Sequence, residues 1–296
     1  MTMLAAPAPA VEGPPPEPDA GPARRGRPRA GWWHLLLVPV ALLFAVPFVQ
    51  MFLTSLTPES EINRFPPRLL PSSLTLDGYT KLFRDSDILL WTGNTILVSV
   101  VAVVSHLALC SLAGYGFARL KFPGRDVGFL MIVATIMIPT QLLMVPTYVM
   151  FARVGIIDTL AAAMVPWLAS VFGIFLMRQF FLSLPAELEE AAVLDGCSRF
   201  CTFWRIILPL ARPALATLAI FTLLSSWNDL VWPLIAINDP GSFTLQLGIT
   251  NFQGARRTDW SLLMASNVVA TLPLILFFVF AQKQFIATMT FTGVKG

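Results

Sequence analysis

Few residues in this chain are equipped for chemistry, and most of them sit in apolar surroundings. Asp229, in Trp227-Asn228-Asp229, is the only acid deep within a long apolar run. An ionisable group in such a place is a functional candidate by default. A structural partner at the end of a helix is the competing reading, and both stand at this level. The histidines are His34 and His106; His106 falls inside an apolar run, where a hydrogen bond between helices or a gating role would account for it. Cys197 and Cys201 share a helical face at i and i+4 and make half of a metal site, but with no further Cys or His near, packing is the simpler assignment. No G-x-x-x-x-G-K-[ST] loop occurs, so the chain does not cradle ATP. Neither H-E-x-x-H nor G-x-S-x-G is present to support metal or serine hydrolysis. Any energy source has to come from a partner.

The elements that must position these groups are read from composition and hydropathy. Of 296 residues, 56% are hydrophobic and only 12% charged, against about 25% charged in a soluble domain. The mean hydropathy of +0.71 makes lipid the main solvent. Three cysteines exclude a disulfide scaffold. A net charge of +3 encodes membrane orientation here rather than a nucleic-acid partner. Six apolar runs, near Leu35–Leu53, Thr95–Ala118, Val127–Phe151, Thr159–Leu182, Ile206–Ile237 and Leu262–Phe280, can each cross about 30 Å of hydrocarbon. The fifth is too long for a simple span, and Pro209 and Pro213 predict a kinked or interfacial first turn. Most tryptophans fall at predicted interfaces; Trp167 is the exception and is expected to pack inside.

Residues 1–30, rich in Ala and Pro and closing on Arg24, Arg25, Arg27 and Arg29, are expected to form a disordered cytoplasmic tail. Residues 31–296 form the membrane domain. The apolar run after the tail reads as an uncleaved span rather than a signal peptide. With both ends inside, the inner side holds thirteen bases and the outer side seven, among the latter Arg64, Lys81, Arg153 and Arg257. That asymmetry predicts both termini in the cytoplasm and the loops near 54–94 and 238–261 outside.

Between the fourth and fifth spans lies LSLPAELEEAAVLDGCSRFCTFWRIILPLARP, an amphipathic stretch that a simple connection does not require. Pro185 suits a first helical turn, and Glu187, Glu189 and Glu190 place negative charge at its positive end. Gly196 can take the left-handed conformation that ends a helix. Beyond it, Phe200, Phe203, Trp204 and Ile207 recur as one apolar face. Two short surface helices broken at Gly196 are predicted, with Ala191 and Ala192 small enough for another backbone to approach.

Here the sequence resembles a family. Glu190-Ala191-Ala192, Gly196, then Ile206, Leu208 and Pro209 match the EAA loop of bacterial ABC importer permeases. LEEAAVLDG, FWRIILPLARPALATLAIF, WNDLVWPL, YGFARLKFPGRD, FGIFLMRQFF and the final GVKG look like the carbohydrate permeases of the maltose-transporter type, the shorter subunit above all. Cys197 departs from the usual Ala, a mild change. The resemblance implies an all-α integral membrane protein of six transmembrane helices with a cytoplasmic coupling helix, the type I importer transmembrane domain. Its EAA loop, 185–209, would dock into an ATPase subunit through Glu190, Ala191, Ala192, Asp195 and Gly196. The implied assembly holds a second homologous permease, two copies of an ABC ATPase that use ATP and Mg, and an extracytoplasmic solute-binding protein. The chain would bind no cofactor or metal itself, perform no catalysis, and reside in the bacterial cell membrane.

Within that resemblance Asn94, Gln141, Tyr148, Trp227, Asn228, Asp229 and Asn267 could line a sugar path, although single polar residues in spans also serve as glue between helices. A polyol or glycerophosphodiester is the alternative solute. An ion-coupled secondary transporter is the rival class, and one buried Asp is thin provision for it.

Overall fold

The computed structural model describes residues 33–64, 70–254 and 258–293, from 280 onward by backbone alone. The expected tail at 1–30 lies outside the described residues, as do Arg68, Arg256, Arg257 and Lys295 of the orientation count. Among the described residues the chain is helical and no strand forms. It divides at Val46/Pro47 into two compact units.

The first unit is described from Trp33 and consists of the opening of α1 (Trp33–Ser55), whose LLLVPVALLF run has no charged residue to interrupt it. In the second unit α1 ends at Ser55, whose hydroxyl lies 2.8 Å from that of Tyr79 in α2 (Asp77–Asp85).

Apart from a single turn at Glu59–Ile62, the remaining α-helices follow in chain order. They are α3 (Ile88–Arg119), α4 (Arg125–Met137), α5 (Thr140–Val154), α6 (Leu160–Met164) and α7 (Val171–Ser183). Then come α8 (Glu187–Leu194), α9 (Arg199–Leu210), α10 (Arg212–Trp227), α11 (Val231–Ala236), α12 (Leu245–Thr250) and α13 (Trp260–Gly293).

Trp33–Ser55, Ile88–Arg119, Leu160–Ser183 and Trp260–Val279 are each long and apolar enough to cross a bilayer. The predicted third and fifth spans are bent pairs. α4 and α5 meet at 103°, because Pro139 follows Ile138, which is extended at φ −86°, ψ 116°; a residue before proline is driven out of the helical region. α9 and α10 meet at 76°, at the Pro209–Pro213 segment where the kink is expected. The predicted fifth run, Ile206–Ile237, thus becomes the end of α9, all of α10, an unwound Asn228–Leu230 and α11.

Two buried clusters organise the second unit. One gathers Trp91, Trp227, Trp232, Leu245 and Leu263, the other Tyr115, Met177, Phe181, Phe203 and Ile207. α3 and α7 approach closely because Gly114 has no side chain: a Cβ there would lie 2.7 Å from Met177 Cβ and 2.9 Å from Arg178 N. Small residues admit such contact between apolar helices, where lipid gives no hydrophobic drive and packing must supply it.

Candidate functional site

The loop at 185–209 folds as its residue types require. α8 opens on Glu187, Glu189 and Glu190, carboxylates at the positive end of the helix dipole. It ends where Gly196 adopts φ +80°. The Gly196 N–H donates to Val193 O at 3.0 Å and the Cys197 N–H to Ala192 O at 2.9 Å, which satisfies two final carbonyls. Ser198 then caps α9, its hydroxyl accepting from the Cys201 N–H at 3.3 Å. The Cys197 and Cys201 thiols meet at 2.7 Å, and this neighbour pushes the Cys197 thiol up from its ordinary pKa.

Of the five residues the sequence assigns to docking, Glu190, Ala191, Asp195 and Gly196 are exposed. Ala192 is not; it is 3% exposed and packs into its own chain, whereas the sequence predicts it open beside Ala191. Glu189 turns inward as well. Its Oε1 forms an ion pair with Arg119 Nε at 3.1 Å. The Arg119 guanidinium also donates to Phe181 O at 2.7 Å and Leu184 O at 2.6 Å. The Tyr115 hydroxyl reaches Glu189 Oε2 at 3.5 Å. Around these groups opens a cavity of about 740 Å³, lined also by Lys121, Arg125, Glu190 and Arg199.

A second cavity, of about 450 Å³, lies among α5, the turn after α6, and the unwound segment after α10. Thr140, Gln141, Met144, Thr147, Trp167, Ser170, Asp229 and Trp232 line it. Trp167 Nε1 donates to Asp229 Oδ2 at 3.0 Å. The wall thus carries hydroxyls, an amide, two indoles and one acid, with no Lys or Arg among its lining residues.

The seven residues expected along a path do not assemble together. Gln141 and Asp229 line the cavity. Asn94 donates to Gly241 O at 3.0 Å and Phe243 O at 2.9 Å, fastening a loop. The buried Trp227 donates to Ala270 O at 3.1 Å. Asn228 and Asn267 bond their own helices, at Leu224 O and Leu263 O. Tyr148 packs against the Trp91 cluster. Sequence reading missed Thr140, Thr147, Ser170 and Trp232 as lining residues, and Trp167, expected to pack inside, is half-buried on the cavity wall. Pro139 and Pro166 were the available signals, since a broken helix within an apolar run opens a gap beside it. His106 is buried; its Nδ1 lies 2.9 Å from Ala102 O of its own helix, and its ring centroid lies 6.5 Å from that of Trp167.

Residues 110–290 match the family described as binding-protein-dependent transport system inner membrane component. The arabinooligosaccharides transport system permease protein AraQ of Halalkalibacterium halodurans is 35% identical over 260 residues, 87% of this chain and 93% of the relative. The sn-glycerol-3-phosphate transport system permease protein UgpE of Brucella abortus is 30% identical over 264 residues, 86% of this chain and 93% of the relative. Among solved structures, a bacterial ABC transporter involved in the import of the acidic polysaccharide alginate superposes with a TM-score of 0.75 at 25% identity, covering 84% of this chain and 93% of that one.

Proposed function

The chain belongs to the binding-protein-dependent transport system inner membrane components, and from that premise we propose that it is the permease subunit of an ATP-driven importer for an uncharged saccharide. It is a multi-pass inner-membrane protein and a non-catalytic member of its complex. A second permease would complete the pathway, two ATPase subunits would bind and hydrolyse ATP with Mg, and an extracytoplasmic binding protein would deliver solute. Residues 31–296 would be the transmembrane domain, with both termini cytoplasmic.

The observation that carries this reading is the end of α8. Glu190, Ala191, Asp195 and Gly196 lie exposed on one short helix and its left-handed stop, while Glu189 beside them is tied to the membrane helices. A surface helix so held can receive a push from a partner and pass it on. The cycle would then be a shift of population between two packings, inward- and outward-open, biased by nucleotide.

The second cavity supports an uncharged solute. Hydroxyls, an amide and indole faces suit a sugar ring, and a carboxylate without a neighbouring base repels an anion. That speaks against a glycerophosphodiester for this chain, and family membership disfavours ion-coupled secondary transport. The test is Glu190→Ala with Gly196→Val, measured in membranes for saccharide uptake and for ATPase subunit co-purification. Both should fall while the spans still insert. Normal uptake with a normal ATPase complement would overturn the reading.

A further inference from the structure

Arg119 closes α3, and its one guanidinium ties that helix to two others. It pairs with Glu189 of α8 at 3.1 Å and donates to Phe181 O and Leu184 O, the last turn and cap of α7. The cation thus sits where the carbonyl end of α7 concentrates negative charge. Tyr115, one turn back on α3, adds its hydroxyl at 3.5 Å to the same carboxylate. The Arg119 and Glu189 side chains are only 13% and 21% exposed, so the pair is sheltered from the screening that weakens surface ion pairs. One terminal nitrogen, Nη2, serves both α7 carbonyls while Nε faces the carboxylate as a charge contact, a division of labour across a rigid plane that the compact ammonium of a lysine does not reproduce.

Beside Glu189, Glu190 is exposed. We infer that the Glu189–Arg119 pair is the joint through which displacement of α8 is carried into α3 and α7, with Glu190 offered to the ATPase and Glu189 kept within the chain. This rests on the importer reading above and adds to it the positioning residues, Glu189 and Arg119, that no docking motif names. If the joint holds, α8 and α3 move as one body. If it is broken, α8 still binds the ATPase, but its motion is lost before it reaches the spans.

The experiment uses the full complex in nanodiscs, with Cys110, Cys197 and Cys201 replaced and spin labels at Leu194→Cys on α8 and Leu112→Cys on α3, both exposed positions. Distances are compared between the nucleotide-free state and the state trapped with ATP and vanadate. In the otherwise native chain the distance should stay constant. In Glu189→Gln it should change on trapping, the ATPase subunit should still co-purify at the native level, and solute moved per ATP hydrolysed should drop at least tenfold. Arg119→Lys, which keeps the charge, should fall between the two. A label distance that changes on trapping in the native chain overturns the joint. So does Glu189→Gln with a native transport-to-hydrolysis ratio, or with loss of the ATPase subunit, which would make Glu189 a docking contact. Failure of the native chain to retain any ATPase subunit would instead overturn the importer reading itself.

Discussion

The indole N–H of Trp167 donates to Asp229 Oδ2 across 3.0 Å, joining the turn after α6 to the unwound stretch after α10. The bond orients the carboxylate on the cavity wall. Trp167→Phe keeps most of the ring but leaves a charged acceptor one partner short, a loss of about 1.5–3 kcal/mol. Saccharide uptake should fall with the ATPase complement unchanged, as measured on matched membrane vesicles.

Asp229→Asn separates charge from hydrogen bonding, because the amide oxygen can still accept from Trp167. Neutral saccharide uptake should persist. A uronate-bearing disaccharide, inert against the native complex, should become an inhibitor, because the repelling charge is gone. A competition assay with the two solutes reads this directly; an inert uronate in both proteins would remove Asp229 from selectivity.

Gly196 is required for its backbone and not for space. A Cβ there meets nothing within 4 Å, while φ is +80°. Valine should therefore cost at least about 1–2 kcal/mol in the left-handed region, whereas asparagine tolerates it. Gly196→Asn should retain most uptake and Gly196→Val should lose it, with both proteins inserted equally on a membrane blot.

At Gly114 the opposite holds. Added atoms collide with Met177 and the Arg178 backbone, so Gly114→Val should destabilise the α3–α7 contact by about 1–3 kcal/mol. A lower melting temperature of the detergent-solubilised complex checks it.

Orientation is testable at Ser242, in the loop after α11. A cysteine placed there, with Cys110, Cys197 and Cys201 removed, should react with an impermeant maleimide from outside the cell. Labelling from the cytoplasmic side alone would invert the topology.

Much of this was legible in the residues. The runs that became spans are apolar over the length a bilayer demands, and that property belongs to each segment alone. The stop at Gly196 was legible for a similar reason, since only glycine enters the left-handed region freely. The Pro209–Pro213 kink followed from a missing N–H and a ring clash, again local causes.

What composition and spacing left open depends on partners distant along the chain. The 103° turn at Pro139 had a local trigger, but its size is set by what α4 and α5 pack against. Asn94 reads as a path residue until two loop carbonyls, 147 and 149 residues away, claim its amide. Trp167 and Asp229, 62 residues apart, become one wall only when α6 and α11 meet. Glu189 and Glu190 are identical in type and adjacent in sequence, and sequence alone cannot say which faces a partner. Arg119, 70 residues earlier, decides it, because a sheltered carboxylate must be paired and only one of the two can reach the guanidinium.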